Sequence, residues 1–126
     1  NRDEAAALTG EAVDSPTAAA RVAHALVARG VETVIVSLGA AGAVAASAGR
    51  VVHASVSVPE AAHPVGSGDC LLGGVAVALT RGDGLDDVVR LGVACGAANT
   101  MTAETGWVRR EDVDALAPRV SVTQVG

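Results

Sequence analysis

Between His63 and Gly74 the chain reads His-Pro-Val-Gly-Ser-Gly-Asp-Cys-Leu-Leu-Gly-Gly. A chain with this stretch must turn tightly and then enter a helix. Pro64 keeps the residue before it out of the α region, so the chain arrives extended. Gly66 and Gly68 permit the turn and leave no side chain above it. Asp69 stands where the helix starts, and Leu71, Leu72, Val75, Ala76 and Leu79 follow at helical spacing. The first N–H groups of such a helix have no internal acceptor, and with the helix dipole they attract an anion, phosphate above all. A carboxylate beside that site repels phosphate but can take a proton from a hydroxyl that attacks it. The same residues also read as an ordinary loop whose aspartate caps a helix. Gly-Ser-Gly-Asp alone does not separate the two readings.

Composition narrows what the anion site can serve. The 126 residues suffice for one domain with a core, and half of them are apolar. That core must be built from Ala, Val and Leu, because Trp107 is the one aromatic residue. A stacking nucleic-acid binder needs aromatic platforms that are absent here. The net charge is -5, the nine basic residues are all arginine, and no run of them exceeds two. Neither a nucleic acid nor an anionic membrane is an expected partner. Any phosphate must be held by backbone N–H groups, metal or a few arginines. The lack of lysine removes the Walker and protein-kinase motifs. The dinucleotide fingerprint fails where Leu71 replaces its third glycine, and Gly-x-Ser-x-Gly does not occur. Cys70 and Cys95 read as small buried hydrophobes of a reducing compartment, with a disulfide left open. No stretch reads as a signal peptide or a membrane span, so the expected location is cytoplasmic.

The patterns along the chain alternate between helix and strand. Asn1 caps a helix over Arg2–Leu8 that Gly10 stops, and Ser15-Pro16 opens another that Gly30 ends. A helix start with no incoming strand suggests missing upstream structure. Thr33–Ser37 fits a buried strand of a parallel sheet. Leu38–Gly42 is a glycine-bounded loop. Ala43–Ser47 and Arg50–Ser55 follow as strands joined at Ala48-Gly49, and Val56–Pro59 reads as a further short strand. Helices are expected at 68–81, 84–102 and 110–117, and a last strand at Val120–Val125. The fold class is α/β, a sheet covered by helices. His24 and His53 read as structural, His63 lies close enough to the central loop to touch a ligand, and three scattered histidines make no metal site.

Four pieces then fall in order: Asn1-Arg2-Asp3-Glu4, Ser37-Leu38-Gly39-Ala40-Ala41-Gly42, Val65-Gly66-Ser67-Gly68-Asp69 and Gly96-Ala97-Ala98-Asn99. Together they resemble the ribokinase-like sugar kinases of the phosphofructokinase B (PfkB) family. The match is closest to the branch that phosphorylates phosphosugars, 1-phosphofructokinase and tagatose-6-phosphate kinase. Many ribokinase-like members carry Asp-Thr where this chain has His63-Pro64, which favours that branch. The resemblance covers essentially the whole chain but only the C-terminal part of the family's fold. It implies a ribokinase-like, mostly parallel sheet and the ATP-binding and catalytic portion of a kinase domain over residues 1–126, without the N-terminal sugar-binding part.

The resemblance also implies roles. Asp69 is the implied general base, and Gly66, Ser67, Gly68 and Asp69 form an anion hole for the transferred phosphoryl group. Ser37, Leu38, Gly39, Ala40, Ala41 and Gly42 form the nucleotide loop, and Asn99 either gives an amide to the adenine or ribose region or is simply a polar residue near a helix end. Glu4 serves Mg²⁺ mainly through water, although Asn1 and Glu4 also read as a helix capping box. Trp107 reads either as a lid over adenine or as an ordinary partly buried aromatic. The implied cofactors are ATP and Mg²⁺, the implied partner a phosphosugar, and the family allows a homodimer of a full-length parent. The best substrate is fructose 1-phosphate, then tagatose 6-phosphate. The isolated chain is expected to be inactive. Rival readings are a non-catalytic nucleotide-binding module of the same fold and a purely structural piece.

Overall fold

The computed structural model describes residues 1–59 and 63–125. Its elements are α1 (Arg2–Thr9), α2 (Pro16–Ala28), β1 (Thr33–Ser37), β2 (Ala43–Ser47), β3 (Arg50–Ser55), α3 (Ser67–Arg81), α4 (Leu85–Thr100), α5 (Arg110–Leu116) and β4 (Ser121–Gln124). Single 3₁₀ turns occur at Gly39–Ala41 and Ala117–Arg119. The punctuation read from the sequence acts as expected at α1 and α2. Asn1 and Glu4 close a capping box, Gly10 ends α1 in the left-handed conformation, and the Ser15 hydroxyl accepts from Ala18 N at the start of α2.

The four strands lie in the order β1-β2-β3-β4, and every pairing is antiparallel. This corrects the expectation of a mostly parallel sheet for the strands described. For β1-β2 and β2-β3 the reason lies in the connections. A parallel crossover needs a dozen or more residues. Only Leu38–Gly42 separates β1 from β2, and only Ala48-Gly49 separates β2 from β3. Ala48 and Gly49 have φ of 47° and 78°, the positive pair that a two-residue hairpin requires. No strand forms at Val56–Pro59. β4 pairs only as far as Ser55, opposite Ser121, so the residues beyond have no ladder to join.

Both faces of the sheet are covered. On one face Ala19, Val22 and Ala23 of α2 pack on Val34, Val36, Val44, Ala46 and Val51. On the other, Val89, Val93, Ala94 and Ala98 of α4 pack on Ala43, Ala45, Val52 and Ala54. Residues of β2 therefore alternate between two cores, and its first four are all buried. α3 lies mainly against α4. Small residues allow the approach: a Cβ added at Gly92 would stand 2.7 Å from Val75 Cγ2, and one at Gly96 would stand 3.1 Å from Ser67 O. Closing the two helices in this way brings the N-terminus of α3 beside the C-terminal end of β1.

Candidate active site

A cavity of about 540 Å³ opens where β1 ends, where α3 begins and along one side of α4. Ser37, Gly39, Ala40 and Gly42 line it from the first loop, Ser67 and Gly68 from the helix start, and Gly96 and Ala97 from α4. Three segments singled out in the sequence thus meet at one place. Among the described residues His63 is the one titratable side chain in the lining. Leu38 is buried beneath the loop instead, and its N–H donates to Gly42 O at 2.8 Å.

The first loop is held by backbone contacts and by neighbouring side chains. Gly42 has φ 85°, and a Cβ there would fall 1.9 Å from Ala54 O. No other residue type fits without displacing β3. His53 Nε2–H donates to Ala41 O at 2.7 Å, and Arg2 Nη2 donates to Leu38 O at 3.1 Å. His53 is structural, as the sequence suggested. Arg2 ties the first of the four sequence pieces to the second.

At the second loop the N-cap is Gly66, with φ 87°, and the first helical bond runs from Cys70 N to Gly66 O at 3.0 Å. Ser67 N is already used, donating to Pro64 O at 3.1 Å. Among the described residues the N–H groups of Gly66, Gly68 and Asp69 have no protein acceptor. The turn therefore leaves three N–H groups free, rather than the four expected of an anion hole. Asp69 is the third residue of α3 and does not cap it, so the cap-only reading of this residue loses its geometric basis. It is exposed and lines a second cleft, of about 600 Å³, on the other side of the helix start from the cavity.

Other expected residues lie elsewhere. Asn99 is fully buried and does not line the cavity. Its amide is taken up within the protein, on Val65, Ser67, Gly106 and Trp107. Asn99 is thus held within the protein and does not reach the cavity in this structure. Glu4 is engaged in the capping box and does not line the cavity. Trp107 is 47% exposed and also stands outside the cavity lining. Both thiols are free. Burial, and then the Asp69 carboxylate, push the Cys70 thiol above its usual value, while burial, and then Cys70, raise Cys95. Neither is an activated nucleophile. Among the described residues Val56, Ser57, Val58, Pro64, Leu71, Val93 and Thr100 complete the cavity wall, and none was singled out in the sequence as lining a site. A signal for part of them was available: Val93, Gly96, Ala97 and Thr100 recur at helical spacing along one side of α4.

The profile of pfkB family carbohydrate kinases matches residues 1–107. The chain belongs to that family. It is 36% identical over 125 residues to the 1-phosphofructokinase of Haloferax volcanii, covering 99% of this chain and 41% of that protein. It is 43% identical over 94 residues to an ATP-dependent 6-phosphofructokinase isozyme 2 of Mycobacterium tuberculosis, covering 73% of this chain and 27% of that one. The structure superposes on phosphofructokinase-2 from Escherichia coli, in a complex with potassium, with a TM-score of 0.87 at 27% identity, covering 94% of this chain and 38% of the other. Ribokinase from Thermotoga maritima matches with a TM-score of 0.73 at 26% identity, over 90% and 38% of the two chains. The fold is therefore ribokinase-like. The chain spans about two fifths of the length of the 1-phosphofructokinase that it matches. Among the described residues no helix is long and apolar enough to cross a membrane.

Proposed function

We propose that residues 1–126 form the C-terminal, nucleotide-binding and catalytic portion of an ATP-dependent phosphosugar kinase. The observation that carries this reading is the cavity bounded by the Ser37–Gly42 loop, the start of α3 and one side of α4. Its wall is largely apolar, suited to a purine base, and it ends at a helix N-terminus, suited to phosphate. The identity to 1-phosphofructokinases over 99% of the chain supports fructose 1-phosphate as the acceptor, and tagatose 6-phosphate is the next candidate from the family branch that the motifs resemble.

In this reading the terminal phosphates of ATP lie at the N-terminus of α3. The N–H groups of Gly66, Gly68 and Asp69 neutralise charge that builds on the transferred phosphoryl oxygens. Asp69 accepts the proton of the acceptor hydroxyl as that oxygen bonds to the γ-phosphorus and the bond to the ADP oxygen breaks. Ser67 and Gly68 face the cavity and Asp69 faces the cleft, so donor and acceptor approach the helix start from two sides. Mg²⁺ would arrive with the nucleotide phosphates, since it keeps most of its waters. Glu4 would hold it through water, and the ion would supply charge neutralisation on the phosphates. The protein works as a soluble cytoplasmic enzyme in this reading, and a homodimer is a suitable assembly for the full-length protein.

The test is a coupled ADP-release assay of the full-length protein with fructose 1-phosphate and tagatose 6-phosphate. Turnover that requires Mg·ATP and prefers fructose 1-phosphate is expected. Tight Mg·ATP binding without turnover on any phosphosugar would favour the non-catalytic module and overturn the kinase reading.

A further inference from the structure

We infer that Asn99 is a positioning residue that orients the phosphate-binding turn and couples it to the Thr105–Trp107 loop. This rests on the kinase reading above. Asn99 lies near the C-terminal end of α4 and is completely buried. Its side-chain nitrogen donates to Val65 O at 2.9 Å and to Ser67 Oγ at 3.1 Å. Its side-chain oxygen accepts from Gly106 N at 2.9 Å and from Trp107 N at 3.2 Å. Backbone N–H groups can only donate, so the amide orientation is fixed by its partners. One side chain thus bridges the turn before α3 and the loop after α4.

Two consequences follow for the donors of the turn. Val65 C=O and Gly66 N–H belong to one planar, trans peptide unit, so they point in opposite directions. Drawing the carbonyl toward Asn99 forces the Gly66 N–H to point away from it, toward whatever occupies the turn. Ser67 Oγ, having accepted from Asn99, keeps its own proton free to donate, and Ser67 lines the cavity. The amide therefore sets the direction of two hydrogen-bond donors while touching no ligand itself. A separate observation shows how closely the two loops are seated. A Cβ added at Gly66 would lie 2.4 Å from Gly106 N. The Thr102 hydroxyl, also buried, donates to Glu104 O at 3.0 Å and holds the loop after α4 from within.

Asn99→Asp tests this in the full-length protein. The variant keeps the shape and the acceptor for Gly106 and Trp107. It sets an oxygen against Val65 O and draws the Ser67 proton inward. Misdirecting such donors should lower kcat by about 10²-fold, the usual cost of losing one oxyanion donor. KM for Mg·ATP should stay within about threefold, because the cavity wall is unchanged. A parallel loss of melting temperature, KM and kcat, or a kcat that stays level, would overturn the inference. Should the variant not fold, amide exchange of the unmutated protein decides. Saturating Mg²⁺ with a non-hydrolysable ATP analogue should slow exchange at Gly106 and Trp107 by about tenfold or more. Binding that leaves both amides unchanged would overturn the coupling. An unmutated protein that neither binds the analogue nor phosphorylates a phosphosugar defeats the kinase reading itself, and the role assigned to Asn99 falls with it.

Discussion

The two glycine-bounded loops that meet at the cavity look alike in sequence but are braced in different ways. Leu38–Gly42 is fixed mainly by its own sheet, with Arg2 of α1 donating to Leu38 O. Gly42 sits against Ala54 O, and His53 from the same neighbouring strand bonds Ala41 O. Val65–Asp69 has no strand beside it and depends on one amide from α4, more than 30 residues away in sequence, and on the Gly106 backbone. The first loop is as rigid as the sheet that carries it. The second is only as well placed as Asn99 holds it. A shape that must be kept, and a donor array that must be aimed, are thus built by different means.

The comparison can be broken most forcefully at Asp69. Asp69→Asn is nearly isosteric and leaves the N-cap, Gly66, untouched. In the full-length protein it should lower turnover by about 10²–10⁴-fold, as expected when a general base is removed. The melting temperature should hardly change, and affinity for Mg·ATP should stay level or rise slightly, since a negative charge near the phosphates is lost. Turnover that survives the substitution would remove Asp69 from the chemistry.

The next largest effect belongs to the first loop and falls on stability. Gly42→Val must displace the β3 backbone and adopt a left-handed φ, so it should cost about 3 kcal/mol or more. Weakened nucleotide binding in that variant would report on the fold and not on contact with ligand. Ala40→Leu separates the two. Ala40 is exposed, lines the cavity and has no positive φ. Its replacement should weaken Mg·ATP by about tenfold in calorimetry through lost space, at an unchanged melting temperature. Equal affinity for both proteins would place the nucleotide elsewhere.

The smallest effect tests how far the sheet alone braces the first loop. His53→Leu removes the bond to Ala41 O and should cost about 1 kcal/mol, read from urea unfolding. If it costs nothing, Gly42 and its strand contacts suffice. If it also weakens Mg·ATP strongly, the first loop needs aiming by a side chain just as the second does.

Local chemistry made much of this molecule legible. Caps, β-branched runs and helical periodicity act over a few residues, so Asn1, Ser15-Pro16, Thr33–Ser37 and the three later helices could be placed within a residue or two. The Gly-Ser-Gly-Asp turn announced a helix N-terminus because its features are properties of the adjacent backbone. Pairing direction was partly legible too, since a two-residue turn at Ala48-Gly49 leaves no room for a crossover, but strand composition alone pointed to a parallel sheet. What the sequence could not give is anything that depends on which groups meet across the fold. Burial of Asn99 under the turn, division of Ser67 and Asp69 between a cavity and a cleft, and the fit of Gly42 against Ala54 all require α3 and α4 to be packed together on the sheet. An asparagine reads the same in sequence whether its amide faces a ligand or is buried beneath a loop. Only tertiary packing, by supplying obligate donors on one side and acceptors on the other, decides which.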